Sequence, residues 1–148
     1  VAKNSSGAVA LVASYAALEA LVPYVLTGKA GWTAQQVEDL KPFAARLAAA
    51  LKHTGLTADP LQHSPVIAKR IASEPGMEAF AMLAKFRNRM THYRKGFTFL
   101  GDELFEMWMI SQWLCEILLF YLIGYRDVMI DRRRYNGWVE APHKVPLP

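Results

Sequence analysis

The sequence predicts an all-α protein, a single-domain helical bundle of about five helices. Apolar residues recur at three- and four-residue intervals over most of the 148 residues, and no segment alternates apolar and polar residues convincingly. Glycine and proline separate these helical segments. With 53% hydrophobic and 20% charged residues, the chain has the composition of a folded protein. Its length suits one domain, so we expect a single unit over residues 1–148.

The first two helices are predicted over residues 6–26 and 33–53. Thr33 and Gln36 have the spacing of a capping box, in which each residue satisfies a free backbone N–H at the helix start. Proline removes a hydrogen-bond donor and clashes with the preceding turn of a helix. Because Pro42 lies inside the second span, that helix is alternatively two shorter pieces.

Three further helices are predicted over residues 64–73, 76–95 and 102–125, with residue 134 as the farthest end of the last one. Pro65 stands at the first helical position, where a missing N–H costs nothing. Residues 137–148 contain three of the eight prolines, and we expect them to form an extended tail on the surface.

The last helix is apolar enough to require a test for membrane insertion. Residues 107–123 are 17 residues long and contain one charge, Glu116, whereas a bilayer span needs about 20 residues. The polar side chains of Ser111 and Gln112 also argue against contact with lipid. A helix that is apolar all round is buried in a bundle or against a partner chain. We therefore predict a core helix that also forms a dimer contact, and no membrane.

Charge and cysteine content limit the partners and the compartment. The net charge of +4 suits a polyanionic partner without requiring one. Cys115 is the only cysteine, so no disulfide forms within the chain, which fits a reducing cytoplasm. No spacing of histidine, cysteine and acidic residues suggests a zinc site. We expect a cytoplasmic protein with no metal and no cofactor.

The predicted fourth helix contains the most informative stretch of the chain. Asn88 and His92 are four residues apart and share one helix face, so the amide is placed to orient the imidazole. That face continues an apolar stripe that includes Ala81 and Ala84, and we therefore expect it to point inward. Arg87 lies about 140° around the helix from His92, but its long side chain can reach back along the face.

Basic residues surround these side chains. Residues 85–95 contain no acid and hold five cations, which would attract an RNA backbone: Lys85, Arg87, Arg89, Arg94 and Lys95. Residues 132–134 are three arginines followed by a tyrosine, and they extend this track or form a solvated helix end. For Arg94 and Lys95 the alternative is likewise a solvated helix end, which the helix dipole favours.

The residues Arg87-Asn88-x-x-x-His92 resemble the arginine–polar–x3–histidine signature of HEPN domains, small all-α modules of prokaryotic defence and toxin ribonucleases. The resemblance implies a homodimer with a composite site, no metal, and RNA as the substrate. It further implies that Arg87 and His92 are the catalytic pair and that Asn88 is the orienting residue. RNA would then be cleaved to a 2′,3′-cyclic phosphate and a 5′-hydroxyl by a toxin or antiviral effector.

One HEPN subgroup, the toxin half of HEPN/nucleotidyltransferase pairs, has a tyrosine two residues after the histidine. In this sequence Tyr93 follows His92 directly, and Arg94 occupies the second position. The chain therefore departs from that subgroup. The further partner that this subgroup would imply is an antitoxin or a nucleotidyltransferase.

Two other interpretations of the same residues remain open. The chain is alternatively a HEPN-like module that binds RNA or a nucleotide without cleavage. It is also alternatively a structural dimerisation domain in which Arg87, Asn88 and His92 only stabilise the interface. Glu116 is the best candidate for a buried acid, and we expect it to pair with a basic residue such as Arg87 or Arg89.

Overall fold

The protein is mostly helical in a computed structural model that describes residues 2–92, 100–134 and 142–148. Six helices and one two-stranded antiparallel ladder form in these residues: α1 (Ala2–Gly28), α2 (Ala34–Asp39), α3 (Phe43–Thr54), α4 (Pro65–Ala72), α5 (Ala79–Thr91), α6 (Gly101–Ile123), β1 (Val128–Met129) and β2 (His143–Lys144). The predicted all-α class is confirmed.

The helix count exceeds the expected five because the predicted second helix is two helices, α2 and α3. Pro42 is the N-cap of α3, as the alternative interpretation of that span required. The predicted capping box of α2 is present. Its Thr33 hydroxyl accepts a hydrogen bond from the Gln36 backbone N–H at 3.2 Å, and the Thr33 N–H donates to the Gln36 side chain at 2.8 Å.

The predicted extension of the last helix to residue 134 is wrong. Helix α6 ends at Ile123 because Gly124 adopts a left-handed conformation with φ of 75° and donates its N–H back to the Phe120 and Tyr121 carbonyls. Glycine is the residue that adopts this conformation without steric cost. The chain then turns into β1.

The core forms mainly between α1 and α6. The Cys115 thiol donates to the Ser14 carbonyl at 3.3 Å, and Gly7 lies against Leu104, so the two helices run in the same direction. Their contact buries apolar side chains at helical spacing, with α3 and α5 closing the same core: Leu11, Leu18, Val22, Leu47, Leu83, Phe86, Trp113, Leu114 and Ile117. The predicted central position of the last helix is confirmed.

Residues 7–28 of α1 and the whole of α6 are each long and apolar enough to cross a bilayer. These criteria of length and composition are also met by the core helices of soluble proteins. Half of the most apolar window of α6 is buried by the rest of the protein, as is a third of that of α1. The expected absence of a membrane partner therefore stays a prediction.

The C-terminal residues pack against the helices. Strand β2 pairs antiparallel with β1, and Val145 and Leu147 are buried beyond it. The Arg126 guanidinium donates to the Pro148 carbonyl at 2.7 Å, which ties the last residue to the turn after α6. The described part of the predicted tail is thus extended, and it also contributes side chains to the core.

Candidate functional site

A groove of about 560 Å³ opens on the solvent side of α5, next to the start of α3. Two alanines and four polar or charged side chains of α5 and its C-cap line it together with two residues near the α3 N-terminus: Ala81, Ala84, Lys85, Asn88, Arg89, His92, Pro42 and Ala44. A volume of this size is typical of small-ligand sites. The predicted residues Lys85, Asn88, Arg89 and His92 are thus brought together by one helix face.

This face points outward, so the expectation of an inward polar stripe is wrong. Asn88 and His92 are exposed, whereas the buried face of α5 consists of Met82, Leu83 and Phe86. Helical spacing identifies residues that share a face, but the neighbouring helices determine which face they cover. An exposed imidazole is accessible to a solute in the groove.

His92 lies at the end of α5, where the helical conformation stops. Its φ of −123° and ψ of 101° are extended, and its backbone N–H donates to the Asn88 carbonyl at 3.0 Å. Helix α5 therefore ends at Thr91, before the end predicted at residue 95. Arg94 and Lys95, both predicted to contact RNA, lie outside the described residues.

Arg87 contacts α1 and is absent from the groove lining described above. Its guanidinium lies 3.4 Å from the Glu19 carboxylate and 5.3 Å from the centre of the Tyr15 ring. Its Nη1 also donates to the Asn88 side-chain oxygen at 3.0 Å, and Asn88 lines the groove. Asn88 therefore links the arginine to the groove. We expected the Asn88 side chain to orient His92, but the described partner of this side chain is Arg87.

The positive charge of the groove is partly balanced. Lys85 forms an ion pair with Glu74, which also pairs with Arg70 at 3.0 Å. The hydrogen bond from Lys85, followed by that from Arg70, lowers the pKa of Glu74, so this carboxylate stays ionised. Arg89 adds a second cation to the groove wall. The resulting surface is polar, with an imidazole, an amide and two cations.

The expected pairing of Glu116 with a basic residue is confirmed, but that residue is Arg132 and neither of the two named candidates, Arg87 and Arg89. Burial raises the pKa of Glu116, and Arg132 opposes that effect. The chain turns back after α6, and this turn carries Arg132 to the helix. The pairing could not be read from helical spacing because the two residues lie in different elements.

The interpretation of residues 132–134 as a basic track or solvated helix end is also wrong for its central residue. Arg133 is 6% exposed, with its guanidinium 3.5 Å from the centre of the Trp113 ring and 2.7 Å from an Asp131 oxygen. It further donates to the Asp59 carbonyl at 2.7 Å. These contacts occupy the guanidinium, so it has no face left for an RNA backbone. Arg133 is therefore a structural clamp between the segments that it contacts.

Two other chemistries find little support in the residues that the structure describes. No group of three histidine, cysteine or acidic side chains in those ranges could hold a metal ion. Burial raises the pKa of the Cys115 thiol to about 12, so this thiol is a poor nucleophile near neutral pH. Cys115 is instead a partly buried residue that packs against the core.

The contacts of Arg87 with Tyr15 and Glu19 on α1 were not predicted from the sequence. Tyr15 is 3% exposed, and its ring centre lies 4.9 Å from that of Phe43. Burial, then Glu19, raises the pKa of Tyr15 to about 12, whereas Arg87 and Arg46 act in the opposite direction. One signal was available, since Glu19 is the only charged residue between Lys3 and Lys29.

The fold and the groove define a class of protein: a small all-α domain whose penultimate described helix presents a histidine, an amide and cations to solvent. The chain belongs to the YopA C-terminal domain family, whose family model matches residues 2–143. Comparisons with curated proteins and with solved structures give no match.

Proposed function

We propose that this protein is a HEPN-type, metal-independent endoribonuclease whose site is the groove at α5. The observation that carries the proposal is that Asn88 and His92 line one solvent-accessible groove together with Lys85 and Arg89. The hydrogen bond from Arg87 to Asn88 keeps the signature arginine connected to that groove. An imidazole titrates near neutral pH, and arginine keeps its charge and binds phosphate bidentately.

The reaction needs no water and no second substrate. The ribose 2′-oxygen loses its proton to an imidazole and bonds to the adjacent phosphorus, while the bond from phosphorus to the 5′-oxygen breaks. A proton from an imidazole goes to that leaving oxygen. The products are a 2′,3′-cyclic phosphate and a 5′-hydroxyl. Arginine stabilises the charge that develops on the phosphorus oxygens in the transition state.

Two copies of the chain form the proposed site. In one copy Arg87 contacts Glu19 on α1, whereas His92 lines the groove on another side of α5. Two grooves that face each other would supply two imidazoles, one as base and one as acid, and the second copy's arginine. The exposure of His92 and Asn88 leaves them accessible to such a partner. A toxin or antiviral effector in the cytoplasm is the biological setting that we propose.

A second candidate, an RNA- or nucleotide-binding module without cleavage, is favoured by a different observation. The Glu19 carboxylate and the Tyr15 ring hold the guanidinium of Arg87 on the α1 side of α5. A groove with His92 but without that guanidinium would bind phosphate and lack the stabiliser of the transition state. Lys85 and Arg89 would then provide affinity alone.

Incubation of the purified protein with a single-stranded RNA in EDTA tests the first proposal. We expect cleavage with cyclic phosphate ends, identified by mass spectrometry of the fragments, and a loss of at least about 100-fold in rate in His92→Ala, in line with general acid–base catalysis. Arg87→Ala should lose a similar factor, as expected for removal of a group that stabilises the transition state.

The matched control is His53→Ala, which removes an exposed histidine of α3 that lies against the Tyr121 ring, away from the groove. This variant should cleave like the wild-type protein. RNA binding without cleavage supports the binding module instead. Cleavage that survives in His92→Ala with unchanged products would refute the assignment of the imidazole.

A further inference from the structure

A pair of touching aromatic rings lies between α1, α3 and α5, with a guanidinium over each ring. The rings of Tyr15 and Phe43 are 4.9 Å apart between centres. Arg87 lies over Tyr15 at 5.3 Å, and Arg46 lies over Phe43 at 5.8 Å. An aromatic face attracts a guanidinium electrostatically without using its N–H groups, which can still donate to an acceptor. We refer to these four residues as the arginine–aromatic cluster.

The two cations of the arginine–aromatic cluster differ in whether an acidic side chain pairs with them. Glu19 is the acid that pairs with Arg87, at 3.4 Å, and its side chain is 40% exposed. Among the ion pairs of the described residues, none includes Arg46. The Nε atom of Arg46 is buried and has no hydrogen-bond partner within the described part of the chain. A buried donor without a partner is costly, and in native proteins it commonly marks a missing ligand or water.

Both guanidinium groups affect the ionisation of the same side chain, Tyr15. The charge of each of them lowers the pKa of Tyr15, against the larger effect of burial. The phenol therefore stays protonated at neutral pH and carries no negative charge that would repel an anion. Two guanidinium groups over one pair of touching rings, with a single partly exposed carboxylate as counter-charge, suit a phosphate group.

We propose that Arg46 and Arg87 form a phosphate-binding site at the junction of α1, α3 and α5, and that Arg46 is a binding residue of this protein. The ligand is a phosphate of a nucleic-acid backbone or of a free nucleotide. The link from Arg87 through Asn88 to the groove makes the RNA backbone the source we expect. Only this choice of source rests on the proposed function.

Binding of a single-stranded oligonucleotide without 2′-hydroxyls tests the site, because such a strand binds through its phosphates and cannot undergo the proposed cleavage. We expect Arg46→Ala to weaken binding about tenfold, the effect of removing one charge-assisted hydrogen bond. The slope of log affinity against log salt should also fall by about 0.7 for each phosphate that the variant no longer neutralises. Arg46→Lys, which keeps the charge but not the planar fork, should fall between Arg46→Ala and the wild-type protein.

Lys52→Ala is the matched control, since it removes one exposed cation from the same helix. It should change the affinity less than twofold. Circular dichroism melts establish that the variants fold, and Arg46→Gln replaces Arg46→Ala if the latter does not. Competition by AMP and by inorganic phosphate identifies the source. Competition that depends on Arg46 indicates a free nucleotide phosphate, and its absence alongside Arg46-dependent strand binding indicates the backbone.

Equal affinities of the Arg46 and Lys52 variants for all three probes would overturn the phosphate site. The result is separable from the fate of the ribonuclease proposal. A protein that binds the strand through Arg46 and cleaves no RNA loses only the enzymatic proposal. A protein that cleaves RNA with unchanged Arg46→Ala binding loses only the site proposed here.

Discussion

Arg133 shows how a charged side chain is kept inside this protein. Its guanidinium is stacked on Trp113, paired with Asp131 and bonded to the Asp59 carbonyl, so its donors have acceptors. Burial raises the pKa of Asp131, but the hydrogen bonds and charge of Arg133 outweigh this and hold it below its usual value. The clamp connects the segment after α6 to the loop before α4.

Asp131→Asn is expected to destabilise the protein by about 3 kcal/mol at pH 7, because it leaves the Arg133 charge buried without its counter-ion. A carboxyl with a lowered folded pKa contributes stability above its unfolded pKa and loses it as the pH falls through the folded value. The difference between variant and wild type should therefore shrink below about pH 4. Urea denaturation between about pH 3 and pH 7 measures it.

Asp127→Asn is the control for this titration, since Asp127 is exposed and its described contact uses the backbone carbonyl. Its stability should follow the wild-type protein at each pH. A loss in Asp131→Asn that is equally large at both ends of this pH range would show that the ionised carboxylate is not what stabilises Arg133.

Local signals determine where the helices begin and end. The capping box of Thr33 starts α2, and Pro65 occupies the first turn of α4. Left-handed glycines follow α3 and α6, at Gly55 with φ of 73° and Gly124 with φ of 75°. Each of these features depends on a few neighbouring residues, so helix ends could be predicted wherever such a signal was present and was weighted correctly.

Three glycine-to-alanine variants separate the cost of a left-handed backbone from the cost of a steric clash with the added Cβ. Gly124→Ala should cost about 1–2 kcal/mol because the left-handed conformation disfavours a Cβ, although no atom lies within 4 Å of it. Gly55→Ala should cost more, since its Cβ would also lie 2.8 Å from Pro148. Gly28→Ala, which lacks a positive φ and has open space, should be neutral or stabilise by up to about 1 kcal/mol.

Thermal unfolding monitored by circular dichroism ranks these three variants. The expected order of stability is Gly28→Ala, then Gly124→Ala, then Gly55→Ala. If Gly55→Ala matches Gly124→Ala, the contact with Pro148 contributes nothing and the C-terminal residues do not pack tightly on the end of α3.

The assembled bundle leaves apolar side chains on its surface although α6 is its central helix. Ten residues of α6 are buried, whereas Leu119 is 45% and Ile123 is 73% exposed. Val9 on α1 is 70% exposed. A helix that is apolar on all sides is buried, and a partner chain provides the burial where its own chain leaves the helix exposed. Self-association through α6 is therefore expected from its exposed apolar residues, and the proposed composite site separately requires a dimer.

Sedimentation of the protein at tens of micromolar is expected to show a dimer. Ile123→Glu should shift it toward monomer because a charge on an apolar contact must be desolvated on association. Val9→Glu, which places the same charge on α1, should leave the dimer intact. A monomeric wild-type protein at this concentration contradicts the composite site, and a monomer only in Val9→Glu moves the interface to α1.

Part of the candidate site followed from helical spacing. Lys85, Asn88, Arg89 and His92 line one groove because residues three or four apart share a helix face. The direction of that face was predicted wrongly, since Ala81 and Ala84 resemble a buried stripe but lie at the groove. Alanine occurs on both the buried and the exposed faces of helices, so its spacing carries little information about burial.

The all-α class, the approximate position of the described helices and the grouping of residues on α5 follow from the chain alone, because they depend on contacts within a few residues. Packing determines which face of α5 meets solvent, the pairing of Arg87 with Glu19, 68 residues away, and the burial of Arg133. These features depend on distant segments that meet only after folding. The chemistry proposed for Arg87 and Arg46 therefore depends on how α1 and α3 pack against α5.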